Sequence, residues 1–336
     1  MKASRRDVLG ASLAVPALVS GTTGARAQEA VYPTRAIALT VPFLAGGSAD
    51  IASRLLGDRM NPLLGRDGRI IIENRGGAGG SIGAEYVRRQ PPDGYSLLTA
   101  TASSHGTNPA ALPESTRYDP VADFTAIAMI GSGPLVVMVP GDSPFRDFAS
   151  LVAAIRARPG ELPWATSGAG GIGHLAGEYM GLRLGGLRGE HIPYRGGSAV
   201  TEALAKGEVA YSFEVLASTA TNLREGRARG LAVTALHRSP LFPEMPTLAE
   251  LGLDGFDFGT WNVLMGPAGM PRPVVDTLSR AANTALREPV LRERLALAGV
   301  DAGAPSTPDS TRAFIVAELE KFRAIVAQAG LRLSRG

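Results

Sequence analysis

The chain has 336 residues, 34 basic and 31 acidic side chains and no cysteine. That composition excludes disulfides, thiolate metal sites and a cysteine nucleophile, so an apolar core must hold the fold. The two signs of charge are well mixed, which leaves no electrostatic footprint for nucleic acid or an anionic membrane.

The first residues read Ser4-Arg5-Arg6-Asp7-Val8-Leu9, followed by a moderately apolar stretch to Val19 and the small-x-small triplet Ala25-Arg26-Ala27. This order predicts a secretory signal of twin-arginine type, cleaved after Ala27, and a periplasmic protein. The apolar run is too short and too rich in Gly, Ala and Ser to span a bilayer. Its removal takes four of the 34 basic and one of the 31 acidic side chains, leaving 30 of each and no net charge. The remaining 309 of 336 residues exceed the usual size of one core, so two lobes are expected.

Short β-branched runs then alternate with helical patterns. A strand over Ala36 to Val41 leads through Pro42, Phe43, Gly46, Gly47, Ser48 and Asp50 into a helix over Ile51 to Met60. Side-chain-free amides at a helix amino end make a site for one carboxylate, and simple turn geometry with Asp50 on the helix dipole explains the same residues equally well. Strands follow at Arg69 to Ile72 and, after the turn Pro91-Pro92-Asp93-Gly94, at Tyr95 to Thr99. The hydroxyls and amide of the cluster from Thr101 to Asn108, Ser103 and Ser104 among them, suit a polar ligand's oxygens, and helix capping by Ser or Thr is the alternative.

Two further strands, Ala126 to Ile130 and Leu135 to Val139, precede a helix over Phe148 to Arg158 that Pro159-Gly160 ends. The strand Leu162 to Thr166 opens onto Ser167-Gly168-Ala169-Gly170-Gly171-Ile172-Gly173-His174 and the Leu175 to Leu184 helix. Gly168, Gly170 and Gly173 complete a G-x-G-x-x-G pattern with Glu190 about 20 residues on, so a dinucleotide site is an alternative. Next come a strand at Glu190 to Pro193, the loop with Tyr194, Arg195 and Ser198, and a helix over Ala199 to Ala205. Strands at Val209 to Phe213, directly before Glu214, and at Gly230 to Ala235 complete an alternation that argues for α/β lobes with mainly parallel sheets. At the carboxyl end Pro271 and Pro273 start a helix with Val274, Leu278 and Ala282 on one side, and Ile315, Leu319, Phe322 and Val326 form a second stripe. No flexible linker separates the halves, so the chain is expected to cross between lobes near 131–134 and near 229–235.

Chemistry for an enzyme is not written here. Of His105, His174, His191 and His237, none has the i, i+4 partner of a helical zinc site, and there is no G-x-S-x-G elbow. No catalytic residue, metal or cofactor is expected.

The motifs together resemble the Bug-type periplasmic solute receptors of tripartite tricarboxylate transporters. The carriers are Val41-Pro42-Phe43 with Gly46-Gly47 and Asp50, Glu73 to Gly80, Pro92-Asp93-Gly94-Tyr95, Tyr118-Asp119-Pro120 with Asp123-Phe124, and Ser167-Gly168. They continue with His174 to Glu178, Pro193-Tyr194-Arg195-Gly196, Pro246-Thr247 with Glu250, and Trp261. The resemblance implies a two-lobed α/β fold of the type II periplasmic-binding class, a Venus flytrap with the ligand in the interlobe cleft. Lobe 1 would be 28–131 with 236–336, and lobe 2 would be 132–235. It implies a monomeric receptor that hands a small mono-, dicarboxylic or aromatic acid to membrane transporter subunits; service to a sensor, or a nucleotide-dependent enzyme using the Gly168 loop, are the alternatives. By position Phe43, Gly46, Gly47, Ser48, Asp50, Ser103, Ser104, Ser167, Gly170 and His174 are the first-lobe and hinge-side contacts, and Tyr194, Arg195, Ser198 and Glu214 face them. Ala49 stands where many members carry a hydroxyl, and the 168–173 loop is richer in glycine than the pattern.

Overall fold

The computed structural model describes residues 32–66 and 68–330, so the leader with its cleavage site lies outside the described residues. In chain order the elements are β1 (Ile37–Val41), α1 (Ser48–Met60), β2 (Ile70–Asn74), α2 (Ser81–Arg88), β3 (Ser96–Thr101) and, after a π-turn at Ser103–Thr107, α3 (Asn108–Ala111). There follow β4 (Phe124–Pro140), α4 (Phe148–Ala157), β5 (Pro163–Thr166), α5 (Ile172–Arg183), β6 (Glu190–Pro193), α6 (Gly197–Ala205), β7 (Tyr211–Val215), α7 (Leu216–Arg224) and β8 (Ala228–Val233). The chain closes with β9 (Gly259–Pro267), α8 (Arg272–Leu286), α9 (Pro289–Leu297), β10 (Asp301–Ala302) and α10 (Pro308–Ala329).

The strands run in the order β2-β1-β3-β9-β4-β7-β5-β6, with β8 and β10 also on β4. β1 pairs in parallel with β2 and β3, and β5 in parallel with β6 and β7, as βαβ crossovers require. Every pairing of β4 and β9 is antiparallel, so the expectation of mainly parallel sheets holds at the two flanks and fails in the middle.

The two strands expected at 126–130 and 135–139 are one strand of 17 residues. Its first part, to Pro134, pairs with β9; from Leu135 it pairs with β7 and β8. Gly131 is what lets it run through: a Cβ there would lie 2.6 Å from the Asp301 carbonyl oxygen of β10. β4 thus belongs to both sheets.

Alternation along β4 divides the apolar residues between its faces. Leu135, Val137 and Val139 join the large cluster of Leu39, Leu97, Val263, Phe213 and Phe322, while Val136 and Met138 join a second one with Val200, Leu204 and Val233. The α10 stripe is buried at Ile315, Leu319 and Phe322, and α8 buries Val275, Leu278 and Ala282, with Val274 at the margin. Among the described residues no helix is long and apolar enough to cross a membrane.

Candidate ligand-binding cleft

Four helices bring their amino ends to one small cavity of about 30 Å³, room for roughly one or two water molecules. Gly47, Ser48 and Ala49 enter it from the start of α1, Ile172 from α5, Gly197 from α6, and Val215 with Ser218 from α7. None of these helices has a side-chain cap; α2, α3, α8 and α9 elsewhere also lack one, while α4 and α10 carry full capping boxes at Asp147 and Thr307. The uncapped ends direct N–H groups and the positive ends of four helix dipoles at the same space.

Part of that donor capacity is taken up by cleft side chains. The Ser48 N–H donates to Ser218 Oγ (3.0 Å), the Ile172 N–H to Ser103 Oγ (3.0 Å), and the Val215 N–H to Glu214 Oε1 (2.8 Å). The first two of these bonds tie the β1–β3 side of the cleft to the β5–β7 side. Acceptor oxygens are therefore already placed where a ligand carboxylate would accept.

Other polar atoms in the cavity are buried and unpartnered. Ser48 Oγ, Glu214 Oε2 and both amide atoms of Asn262 find no hydrogen bond, on residues only 7%, 2% and 1% exposed. Each such atom costs about 1–3 kcal/mol when left unpaired. Three elements far apart in sequence, α1, β7 and β9, thus aim unsatisfied groups into one space. Larger grooves exist, such as one of about 630 Å³ between Arg146, Phe242 and Met245, but no described side chain lining it has a buried unpaired polar atom.

Among the described residues, Glu214 is the only ionisable group on the wall, and no cationic side chain lines it. Burial pushes its carboxyl up to about 7, against the favourable hydrogen bond from Val215 and the neighbouring Ser167 hydroxyl. Although Ser167 favours the ionised form, it does not reach Oε2 in full hydrogen-bond geometry.

Of the residues proposed from sequence, Phe43, Gly47, Ser48, Ser103, Ser167 and Glu214 line the cavity. The others lie behind or outside it. Gly46 is exposed and gives its N–H to Asp50 Oδ2 (2.9 Å), so it is not a free ligand donor. Asp50 also accepts from Asn74 (2.9 Å) and Arg54 (2.9 Å). Burial opposes its ionisation, but the hydrogen bonds from Arg54, Gly46 and Asn74 outweigh it and hold the carboxyl below its ordinary value, so Asp50 shapes the 43–47 loop. Ser104 is buried in the π-turn, bonded to Thr101 N and His105 Nδ1.

Ser167, Gly170 and His174, expected on the first-lobe and hinge side, belong to the β5–α5 segment of the other sheet, together with Glu214. His174 Nδ1 accepts the Gly170 N–H (3.1 Å), and its ring stacks on His191 at 3.7 Å. Burial, and for His174 the neighbouring His191, push these imidazoles down to about 3 and about 4, so both are neutral props for the glycine loop. Tyr194 bonds Glu208 (3.3 Å), Arg195 is exposed with no ion pair among the described residues, and Ser198 reaches the Ala45 carbonyl (3.4 Å) at the rim. Of this segment only Gly197 faces the cavity.

Sequence reading missed Thr101, Ile172, Ser218, Thr260 and Asn262 on the wall. Asn262 had a signal: a single amide inside the apolar run Trp261 to Met265. The G-x-G-x-x-G loop does follow a strand and open a helix. Its glycines, however, serve contact with the facing loop: a Cβ on Gly170 (φ +73°) would lie 2.4 Å from Asn108 Oδ1, and one on Gly168 2.9 Å from the Gly79 nitrogen. A pyrophosphate would have to displace that packing. Among the described residues no group of three or more His, Cys, Asp or Glu could hold a metal ion.

Residues 52–331 match the model of the TctC family, the tripartite tricarboxylate transporter family receptor. BugT of Bordetella pertussis is 33% identical over 323 residues, 96% of this chain and 98% of the relative. The structure of the periplasmic binding protein BugD superposes with a TM-score of 0.84 at 31% identity, over 90% of this chain and 99% of its own. That of R. palustris Rpa4515 with adipate gives 0.85 at 31% identity, over 90% and 99%. The mixed sheets joined through β4 are those of a two-lobed, type II periplasmic-binding fold, with the cavity in the interlobe cleft. The chain belongs to the receptor family of the tripartite tricarboxylate transporters.

Proposed function

We propose that the chain is an exported solute receptor that closes its cleft on a small carboxylate and passes it, as a monomer, to the membrane subunits of a tripartite tricarboxylate transporter. The observation that carries this reading is the convergence of four uncapped helix amino ends with the unpaired polar atoms of Ser48, Glu214 and Asn262. A carboxylate satisfies N–H donors and gains from the helix dipoles without any cationic side chain. The adipate held by the similar R. palustris structure is of this chemical class.

Lobe 1 would comprise 28–131 and 236–336, lobe 2 would comprise 132–235, and β4 would flex where its partner changes at Pro134–Leu135. Ligand then stabilises the closed state by touching both lobes, which is the differential contact a population shift requires. Residues 1–27 would direct export to the periplasm.

Thermal-shift screening of mono- and dicarboxylates, aromatic acids and nicotinamide cofactors tests the reading. A true ligand at about 100 times its Kd adds about 2.7 kcal/mol of stability and raises the melting temperature by several degrees. If a dinucleotide does so and no carboxylate does, the receptor reading fails.

A further inference from the structure

The cavity wall offers hydrogen bonds and dipoles but no positive side chain, and its one ionisable group is an acid. A dicarboxylate that widens the cleft and rests one carboxylate on the amides of Ser48 and Ile172 would bring its second toward Glu214, which lines the same space and whose Oε2 is buried and unpaired. Two carboxylates in contact cannot both stay ionised without a cation between them; one proton shared in an O–H···O⁻ bond resolves the conflict. We propose that Glu214 sorts ligands by charge: it meets the far oxygen of a dicarboxylate only as the protonated acid, so a doubly charged ligand enters the cleft with one proton. This inference rests on the reading of the cleft as a carboxylate site.

Among the described residues no cation lines the cavity beside Glu214, and Arg195, two residues before Gly197, is exposed off its wall. The strands beside Glu214, β4 and β5, carry no titratable side chain. On α5, His174 is turned to Gly170 and His191, while Glu178 and Arg183 lie off the cavity wall. On α6, Glu202 pairs with Lys206 outside; on α7, Arg224 bonds the Leu297 carbonyl. Across the cleft, Arg54 is committed to Asp50. The α6 start presses close, since a Cβ on Gly197 would lie 3.1 Å from the Glu214 carboxyl carbon. Burial, partly offset by the hydrogen bonds from Val215 and Ser167, already places the carboxyl at about 7, where a proton is readily kept or taken up.

Calorimetric titration of the whole chain with succinate and with succinamate, its mono-amide, tests this in two buffers of different ionisation enthalpy. At about pH 8.5, well above the titration of Glu214, succinate is expected to take up close to one proton and succinamate none. Succinate affinity should fall about tenfold per pH unit above pH 7, while succinamate affinity stays level. Glu214→Gln, which keeps the shape and can donate from its amide, should bind succinate with no proton uptake and no pH slope. Succinate bound by the unaltered chain without proton uptake and with equal affinity across that range overturns the inference and leaves the receptor reading standing. Tighter binding of aspartate than of succinate at about pH 8.5 also overturns it, because Glu214 would then serve an ammonium group as a carboxylate. If no acid binds at any pH, the receptor reading falls and this inference with it.

Discussion

At the scale of single residues, the cleft holds buried polar atoms that find no partner among the described residues. Asn262 keeps a full amide buried with neither atom paired. Asn262→Leu is therefore expected to stabilise the fold by about 1–2 kcal/mol in urea denaturation, while weakening carboxylate binding more than tenfold. Glu214 is a similar case with a pH signature. Its folded value, about 7, lies above the ordinary glutamate value, so the folded chain holds more protons than the unfolded one between roughly pH 4.5 and 7. Its stability contribution is intact below that window and is lost as pH rises through it. Glu214→Gln should thus gain roughly 2–3 kcal/mol over the parent at about pH 8 and little or nothing at about pH 4, read from denaturation midpoints. Glu214 and Ser48 were legible because each sits where a strand meets a helix. Asp50 was legible in position but not in role, since only the fold shows that Arg54, Asn74 and Gly46 consume its carboxylate. Arg195 misled because a guanidinium is the obvious partner for an acid, whereas this wall uses backbone donors instead.

At the scale of elements, the glycine loop between β5 and α5 is a contact surface for the opposite side of the cleft. Gly170 has φ +73°, and a Cβ there would meet Leu112 Cδ1 at 2.3 Å as well as Asn108. Gly170→Val should leave the secondary structure intact by circular dichroism while lowering carboxylate affinity at least tenfold, because the loops can no longer close. Affinity equal to that of the parent would mean that closure does not use this contact. The flanking βαβ units were readable because short strands alternate with helices along the chain. β9 was not: it is buried on both faces, shows no alternation, and follows a stretch of turns. β4 was expected as two strands with a crossing near 131–134 between them, whereas Gly131 and Gly133 stay within one strand and admit close backbone neighbours.

At the scale of the whole molecule, the central claim is that one ligand is gripped by helix amino ends from both sides of a cleft joined through β4. The two hydrogen bonds across it, Ser48 N–H to Ser218 and Ile172 N–H to Ser103, mark where that grip would be made. The family resemblance reached Phe43, Gly47 and Ser167 on the cavity wall and stopped one residue short of Asn262, at Trp261. A crystal structure with the tightest-binding acid from the thermal screen tests the claim most directly. It should place a carboxylate within about 3 Å of the Ser48 or Ile172 amide and a polar atom of the ligand against Asn262. An acid seated instead in the open groove beside Arg146 and Met245, with the cleft residues unchanged, would contradict it.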